Sequence, residues 1–419
     1  MTVRSRDDVA AHILAAVDFG TPGTVGAELE WLAVDRSNPL RRPELDRVGA
    51  ALTSAGTLPG GSLLTTEPGG QVELSSLPRS GPGAVVAALA ADVRAVRHAL
   101  QDAGISLTGL GADPVRPPER LVHSSRYDVM EEYWTAGGTA SSQAGRAMMC
   151  SSAAVQVSLD VGSPEAGGPQ SATQRWQRAH AVGPALVAAF ACSPLLQGAP
   201  TGWRSTRQRF WRDLDPSRTR APAPHLGPVE ALTELAMTAR LMTVRDADGV
   251  CRPAPPGTTF GDWVAGGAPS RADLDYHLTT LFPPVRLRGW FELRYLDALP
   301  DPWWQVAVAV ATALLDDDLA ADRAREACAQ VEGRWVDAAR LGPSDAALAA
   351  AATGCLLAAA DALPRLGAAE LVAPVLAYAE RFAARGRCPA DDLLDAHATG
   401  TSAQALLLHG LSHWAELAA

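Results

Sequence analysis

The chain has no lysine: all 36 of its basic residues are arginine. That absence excludes a phosphate-loop lysine, a Schiff-base lysine and a pyridoxal-phosphate anchor. Any phosphate has to be held by arginine, by backbone N–H groups or through a metal. Cysteine is sparse: Cys150, Cys192, Cys251, Cys328, Cys355 and Cys388 are far apart and form no C-x-x-C pair. This spacing argues against a zinc site or a disulfide framework and for a reducing, cytoplasmic setting. No apolar run reaches 18 residues, and residues 1–20 carry acids, so neither a membrane span nor a signal peptide is expected. Positive charge is also in deficit, with 46 acids against 36 arginines and a net charge of −10. Nucleic acid and anionic membranes are therefore poor partners. A chain of 419 residues, 47% hydrophobic and 20% charged, has the composition of a soluble globular protein with a large core.

What is present is a polar strand pattern that occurs four times. After the turn Pro68-Gly69-Gly70, the chain alternates: Gln71, Glu73 and Ser75 share one face, Val72 and Leu74 the other. In Gly26–Trp31, Glu28 and Glu30 oppose Ala27, Leu29 and Trp31. In Ala154–Asp160, Gln156, Ser158 and Asp160 oppose Val155, Val157 and Leu159. In Arg288–Arg294, Glu292 and Arg294 oppose Phe291 and Leu293. Any half-buried antiparallel sheet shows polar-out alternation. The bias toward Glu and Gln also suits a cage for a hard cation, which takes oxygen ligands. The residues alone leave both readings open.

Along the rest of the chain, helices are expected over 5–17, after Ser80-Gly81-Pro82-Gly83, from Ser125 through Trp134, and over 173–191 with a kink at Gly183-Pro184. The small, polar stretch Gly137–Gly145 reads as a mobile lid or a surface linker. Ser270 with Asp273 spells a capping box, and Asp301-Pro302 an N-cap followed by a first-turn proline. The run from Gly202 to Arg212 is rich in Trp and Arg. In an acidic chain this fits phosphate or carboxylate better than nucleic acid. Residues 306–419 read as an Ala- and Leu-rich helical layer broken near Gly342-Pro343, Pro364 and Pro389. Their His397, His409 and His413 lack metal spacing.

The motifs Glu28-x-Glu30, Glu67-Pro68-Gly69-Gly70-Gln71-Val72-Glu73-Leu74-Ser75 and Met148-Met149 with Val155–Asp160 stand in order along residues 20–305. Trp203-Arg204-Ser205-x-Arg207, His277–Arg286 and Glu292-x-Arg294 follow them. Together they resemble the plant-type glutamate–cysteine ligase family, and within it the actinobacterial branch that supplies ergothioneine synthesis. The resemblance implies an α+β fold like glutamine synthetase: an antiparallel sheet forms the active-site face, with helices behind it. Residues 1–305 would form the catalytic region, with helical residues 306–419 packed on it.

The implied reaction is ATP-dependent phosphorylation of the glutamate γ-carboxylate, followed by attack of the cysteine amine on the acyl phosphate. It needs charge neutralisation by Mg²⁺, two ions or more, and by guanidinium groups, and no protein nucleophile. On the same resemblance Glu28, Glu30, Glu73 and Glu292 are metal ligands. Arg294, Arg204 and Arg207 are the catalytic anion contacts. Arg126, Gln156, Trp203, Met149 and Gln71 bind substrate or nucleotide. Its partners are the small molecules glutamate, cysteine and ATP, and the enzyme is expected to be a cytoplasmic monomer. The competing readings are a ligase using another amine, a non-catalytic homologue, and a metal hydrolase, which would favour histidine ligands.

Overall fold

Strand β1 (Thr24–Asp35), at 12 residues the longest, is the strand on which the sheet is assembled. Its alternation sends Val25, Ala27, Leu29 and Trp31 into the core and leaves Glu28 and Glu30 on the opposite face. The computed structural model describes residues 2–165, 167–223, 225–267 and 269–410. After β1 come β2 (Leu63–Thr66), β3 (Val72–Ser75), β4 (Arg79–Ser80), β5 (Ile105–Thr108) and β6 (Ala154–Leu159). Two small hairpins follow, β7 (Leu195–Leu196) with β8 (Ala199–Pro200) and β9 (Thr243–Arg245) with β10 (Cys251–Pro253). The last strands are β11 (Val285–Leu287) and β12 (Phe291–Asp297).

Eight strands form one sheet in the order β11-β12-β6-β1-β3-β2, with β4 and β5 also pairing with β1. Every pairing is antiparallel, and the register sets the polar residues side by side. Glu28 lies opposite Gln156 on one side and Ser75 on the other. Glu30 lies opposite Glu73, and Glu73 opposite Thr65. Glu292 lies between Arg286 and Ser158. A bulge in β12 between Leu293 and Leu296 lets Tyr295 and Leu296 both enter the core, and Asp297 returns to the polar face.

Helices Gly81–Asp102 and Trp303–Asp316 cover the apolar face. The second is apolar on all sides and almost wholly buried, because helix Ala346–Ala362 packs on its far side. The expected fold class, antiparallel sheet with helices behind it, is the one found. Residues 306–410 are helical apart from short breaks, one of them a 3₁₀ turn at Gly342–Ser344. The expected break near Pro389 is the non-helical stretch 386–388, after which Pro389 begins the helix Pro389–Ala398. His413 lies outside the described residues.

Three local expectations change. The stretch read as a lid or linker is mostly the helix Thr139–Ser151, which buries Ala144, Ala147, Met148 and Met149; packing of that face outweighs its modest propensity. The long helix over 173–191 is two helices, Ala172–Ala181 and Gly183–Ala189, so Gly183-Pro184 breaks it. Asp301 does not cap the next helix: the Asp301–Pro302 bond is cis, Pro302 occupies the cap position, and the Asp301 carboxylate accepts from the Trp304 indole.

Candidate active site

A cavity of about 360 Å³ opens over the polar face of the sheet. Its floor carries Glu28 and Glu30 from β1, Gln156 from β6, Glu73 from β3, and Glu292 and Arg294 from β12. Helices Ser125–Ala136, Thr139–Ser151 and Thr206–Asp213 close one end with Met130, Met148, Met149 and Trp211. The sheet gathers the acids because period-2 alternation on neighbouring strands stacks like positions into rows.

The turn before β3 is held by its own backbone, with the Gly70 N–H donating to the Glu67 carbonyl at 2.8 Å. Gly70 sits at φ +83°, and a Cβ at Gly69 would lie 2.1 Å from the Cys150 carbonyl oxygen, so neither position admits a side chain without displacement. Gln71 secures this contact. Its Oε1 accepts from the Gly69 N–H at 3.0 Å, and its Nε2 donates to the Ser152 carbonyl at 2.8 Å. Gln71 reaches the cavity wall, but its carboxamide is spent on bracing the turn against the end of helix Thr139–Ser151.

On the β1–β3 side the acids crowd one another. Gln156 Nε2 donates to both Glu28 Oε2 and Glu30 Oε1 at 3.0 Å, and the Thr65 hydroxyl donates to Glu73 at 2.7 Å. Burial, then Glu292 and Glu73, push the Glu28 carboxyl up to about 7. Burial and the charge of Glu73 push Glu67 up to about 7 as well. Glu30 is raised well above the carboxylate range by burial, Glu67 and Glu73.

The β11–β12 side is the reverse. Arg286 grips Glu292 with two bonds, Nε to Oε2 at 2.7 Å and Nη2 to Oε1 at 3.1 Å. Arg294 Nη1 donates to Glu292 Oε2 at 2.7 Å and to Gln156 Oε1 at 2.5 Å. Burial would raise Glu292, but Arg294 and Arg286 together outweigh it and hold the carboxyl at about 2.

Arg207 is 3% exposed. Its Nη2 donates to the Arg294 carbonyl at 2.9 Å, and its buried Nη1 has no hydrogen-bond partner among the described residues. A buried guanidinium N–H facing a cavity is a ready donor to an anion. Arg126 lines the same cavity, with both terminal nitrogens 3.0 Å from Thr279, at its hydroxyl and its carbonyl.

Two expected contacts are not at the cavity. Ser205 caps helix Thr206–Asp213, and the residues before it form a loop pinned to Ala339 by the Arg204 and Ser205 N–H groups. Arg204 therefore turns away and pairs with Asp391 at 2.7 Å. Trp203 faces a separate cleft, stacked by Arg212 at 5.6 Å. Arg207 and Trp211, four apart on the helix, face the cavity instead. Glu67 and Arg286 belong at the site and were missing from the expected set. The signal was present, since they begin and end two of the motifs.

Among the described residues no three acids, histidines or cysteines are arranged to hold a metal ion as they stand. The donor chemistry nevertheless fits a hard divalent cation: Glu28, Glu30, Glu67 and Glu73 offer only oxygen, no histidine lines the cavity, and three of the four are raised by burial and then by neighbouring carboxylates, more than the nearby arginines lower them. Glu292, already paired with two arginines, is the poorest donor of the acids on the floor.

The chain belongs to a family of ligases: the sequence model of Glutamate-cysteine ligase family 2 (GCS2) matches residues 24–408, and that membership makes it an ATP-dependent ligase. It is 44% identical over 403 residues to the glutamate–cysteine ligase EgtA of Mycolicibacterium smegmatis, covering 93% of this chain and 91% of that protein. It is 41% identical over 407 residues to EgtA of Mycobacterium tuberculosis, covering 94% and 91%. Among solved structures, the glutamate–cysteine ligase of Francisella tularensis in complex with AMP shares the fold. Its TM-score is 0.51 at 12% identity, with 96% of this chain and 90% of that one covered. Among the described residues no single helix is long and apolar enough to cross a membrane.

Proposed function

We propose that this protein joins glutamate to cysteine at the expense of ATP, yielding γ-glutamylcysteine for ergothioneine synthesis. The observation that carries this reading is the buried acid cluster, with no direct ion pair among the described residues, facing an arginine group across one sheet. Glu28, Glu30, Glu67 and Glu73 would hold Mg²⁺. When bound, the ions screen the negative charge of ATP and of the glutamate γ-carboxylate as the two approach.

The chain's own residues bind and orient. Arg207, with its unused buried N–H, and Arg294, fixed by Glu292 and Gln156, present guanidinium groups to the transferred phosphoryl group. Arg126 is preset by Thr279 to receive a substrate carboxylate. Met130, Met148, Met149 and Trp211 exclude water from the closed end, where an acyl phosphate would otherwise hydrolyse. The γ-carboxylate oxygen bonds to the terminal phosphorus of ATP as ADP leaves. The cysteine amine then bonds to the acyl carbon as phosphate leaves.

The test is to incubate the purified protein with glutamate, ATP and Mg²⁺, offer each amino acid in turn, and follow phosphate release and the γ-glutamyl product. Cysteine should give the largest kcat/KM. Equal use of another amine would replace cysteine as the acceptor, and no product with any amine would remove the ligase reading.

A further inference from the structure

Trp290 is the one exposed tryptophan among the described residues, 43% accessible at the tip of the β11–β12 hairpin. Trp290 itself does not line the cavity, but Arg288 beside it does, and an indole left in water there calls for a partner. The strands on either side show which face of the sheet the hairpin serves. Val285, Leu287, Phe291 and Leu293 enter the core. Alternation thus puts Arg286, Glu292 and Arg294 on the cavity's face, while residues 288–290 form the turn between the strands, where alternation does not apply. Arg288 lines the cavity and lies 5.9 Å from the Trp290 ring.

The hairpin is held in place as well. The Arg288 N–H donates to the Trp290 carbonyl at 2.8 Å, and the Gly289 carbonyl accepts from the Asp18 N–H at 3.0 Å. By register the tip lies beyond the Glu292–Ser158 pair, whereas helix Thr139–Ser151 abuts the other end of β6 at Ala154. The methionines line the far end, and from the hairpin end Arg288 and Arg286 lead toward Arg294 on the cavity floor.

We propose that Trp290 is the stacking platform for the adenine ring of ATP, with Arg288 and Arg286 leading the phosphates from the hairpin into the cavity. The inference rests on the ligase reading and adds the direction in which the nucleotide lies. An exposed indole offers a π-face to a planar base, and the guanidinium row that starts beside it matches a polyphosphate chain.

The test separates base from phosphate by measuring binding of ATP and of inorganic tripolyphosphate, by calorimetry, to wild type, Trp290→Ala and Trp290→Phe. Trp290→Ala should weaken ATP binding about tenfold or more, the size that base–aromatic stacking supports, and leave tripolyphosphate binding as in wild type. Trp290→Phe should recover most of the loss. In turnover the change should fall on KM for ATP and not on KM for glutamate or cysteine. Unchanged ATP affinity in Trp290→Ala, equal weakening of both ligands, or a shift in KM for glutamate or cysteine overturns the platform alone. Failure of the wild type to bind ATP removes the ligase reading and the platform with it.

Discussion

The two halves of the polar sheet face are made of similar residues and hold charge in opposite ways. On the β11–β12 half, Glu292 is clasped by Arg286 and Arg294 and held at about 2. On the β1–β3 half, Glu28 and Glu67 face other acids and rise to about 7. One half has its counter-charge built into the chain, and the other is left for something that arrives. A face meant only for solvent would gain nothing from burying unpaired carboxylates, which is costly. The difference supports the proposal that cations bind at the acid half and anions at the arginine half.

The largest effect should come from breaking the acid half. Glu73→Gln is expected to reduce ADP formation about a thousandfold or more, since a donor to the bound cation is lost. Its melting temperature should hold or rise, because a like charge has gone. Near-wild-type turnover would remove Glu73 from the cation site.

Next in size is the arginine half. Arg294→Lys keeps the charge and loses the planar guanidinium, whose Nη1 alone donates to both Glu292 and Gln156 and whose other nitrogens are left for an anion. A drop in kcat/KM of about 30- to 1,000-fold, or ~2–4 kcal/mol, is expected from two or three such bonds. Full activity with lysine would show that only the charge matters.

A third experiment sharpens the contrast through pH. Glu28 and Glu67 have folded-state values above the ordinary carboxylate range, so the metal-free protein binds protons more tightly than its unfolded chain does. Their contribution to stability is full below about 4.5 and is lost as pH rises through about 7. A bound divalent cation takes the protons' place. The gain in melting temperature on adding Mg²⁺ should thus be larger at pH 8.5 than at pH 5.5, and in Glu28→Gln the difference should shrink. A gain independent of pH would mean that the ion binds elsewhere.

The smallest effects should lie outside both halves. Arg204→Ala breaks the tie to Asp391 and is expected to cost about 1 kcal/mol of stability, seen in denaturant titration, with activity within about threefold of wild type. Cys150→Ser should likewise keep most of its activity, because Cys150 meets the Gly69 turn through its backbone and its thiol is pushed up to about 11 by burial.

The sequence shows the floor of the site clearly because a strand's two-residue period is a local property. Glu28, Glu30, Glu73, Gln156, Glu292 and Arg294 could all be placed on one face from their neighbours alone. Glu67 escaped this logic because it sits in the turn before β3, where alternation does not apply. Gln71 obeyed the alternation, but its carboxamide was taken by Gly69 and Ser152, the latter brought from 81 residues away. Trp203 and Arg204 share a motif with Arg207, and the helix cap at Ser205 divides them, sending the first two behind the site and the third into it. The helix Thr139–Ser151 was hidden by its Gly and Ser content, and only the packing of its methionines against the rest of the fold secures it.

Strand β1 pairs with β3, β4, β5 and β6, and β6 in turn waits for β12, which ends at Asp297. On the ribosome, Glu28 and Glu30 are made well before the arginines that balance their face, which belong to the last strands of the sheet. Until β12 emerges, β6 presents an open edge, and the nascent sheet carries its repelling acids without Arg286 and Arg294. Such late, long-range closure makes for slow folding and a window in which the unpaired edge can capture another chain. Even β5 is not finished early: the Thr108 hydroxyl donates to the Leu407 carbonyl at 2.7 Å, so the end of the described chain secures a strand near its start.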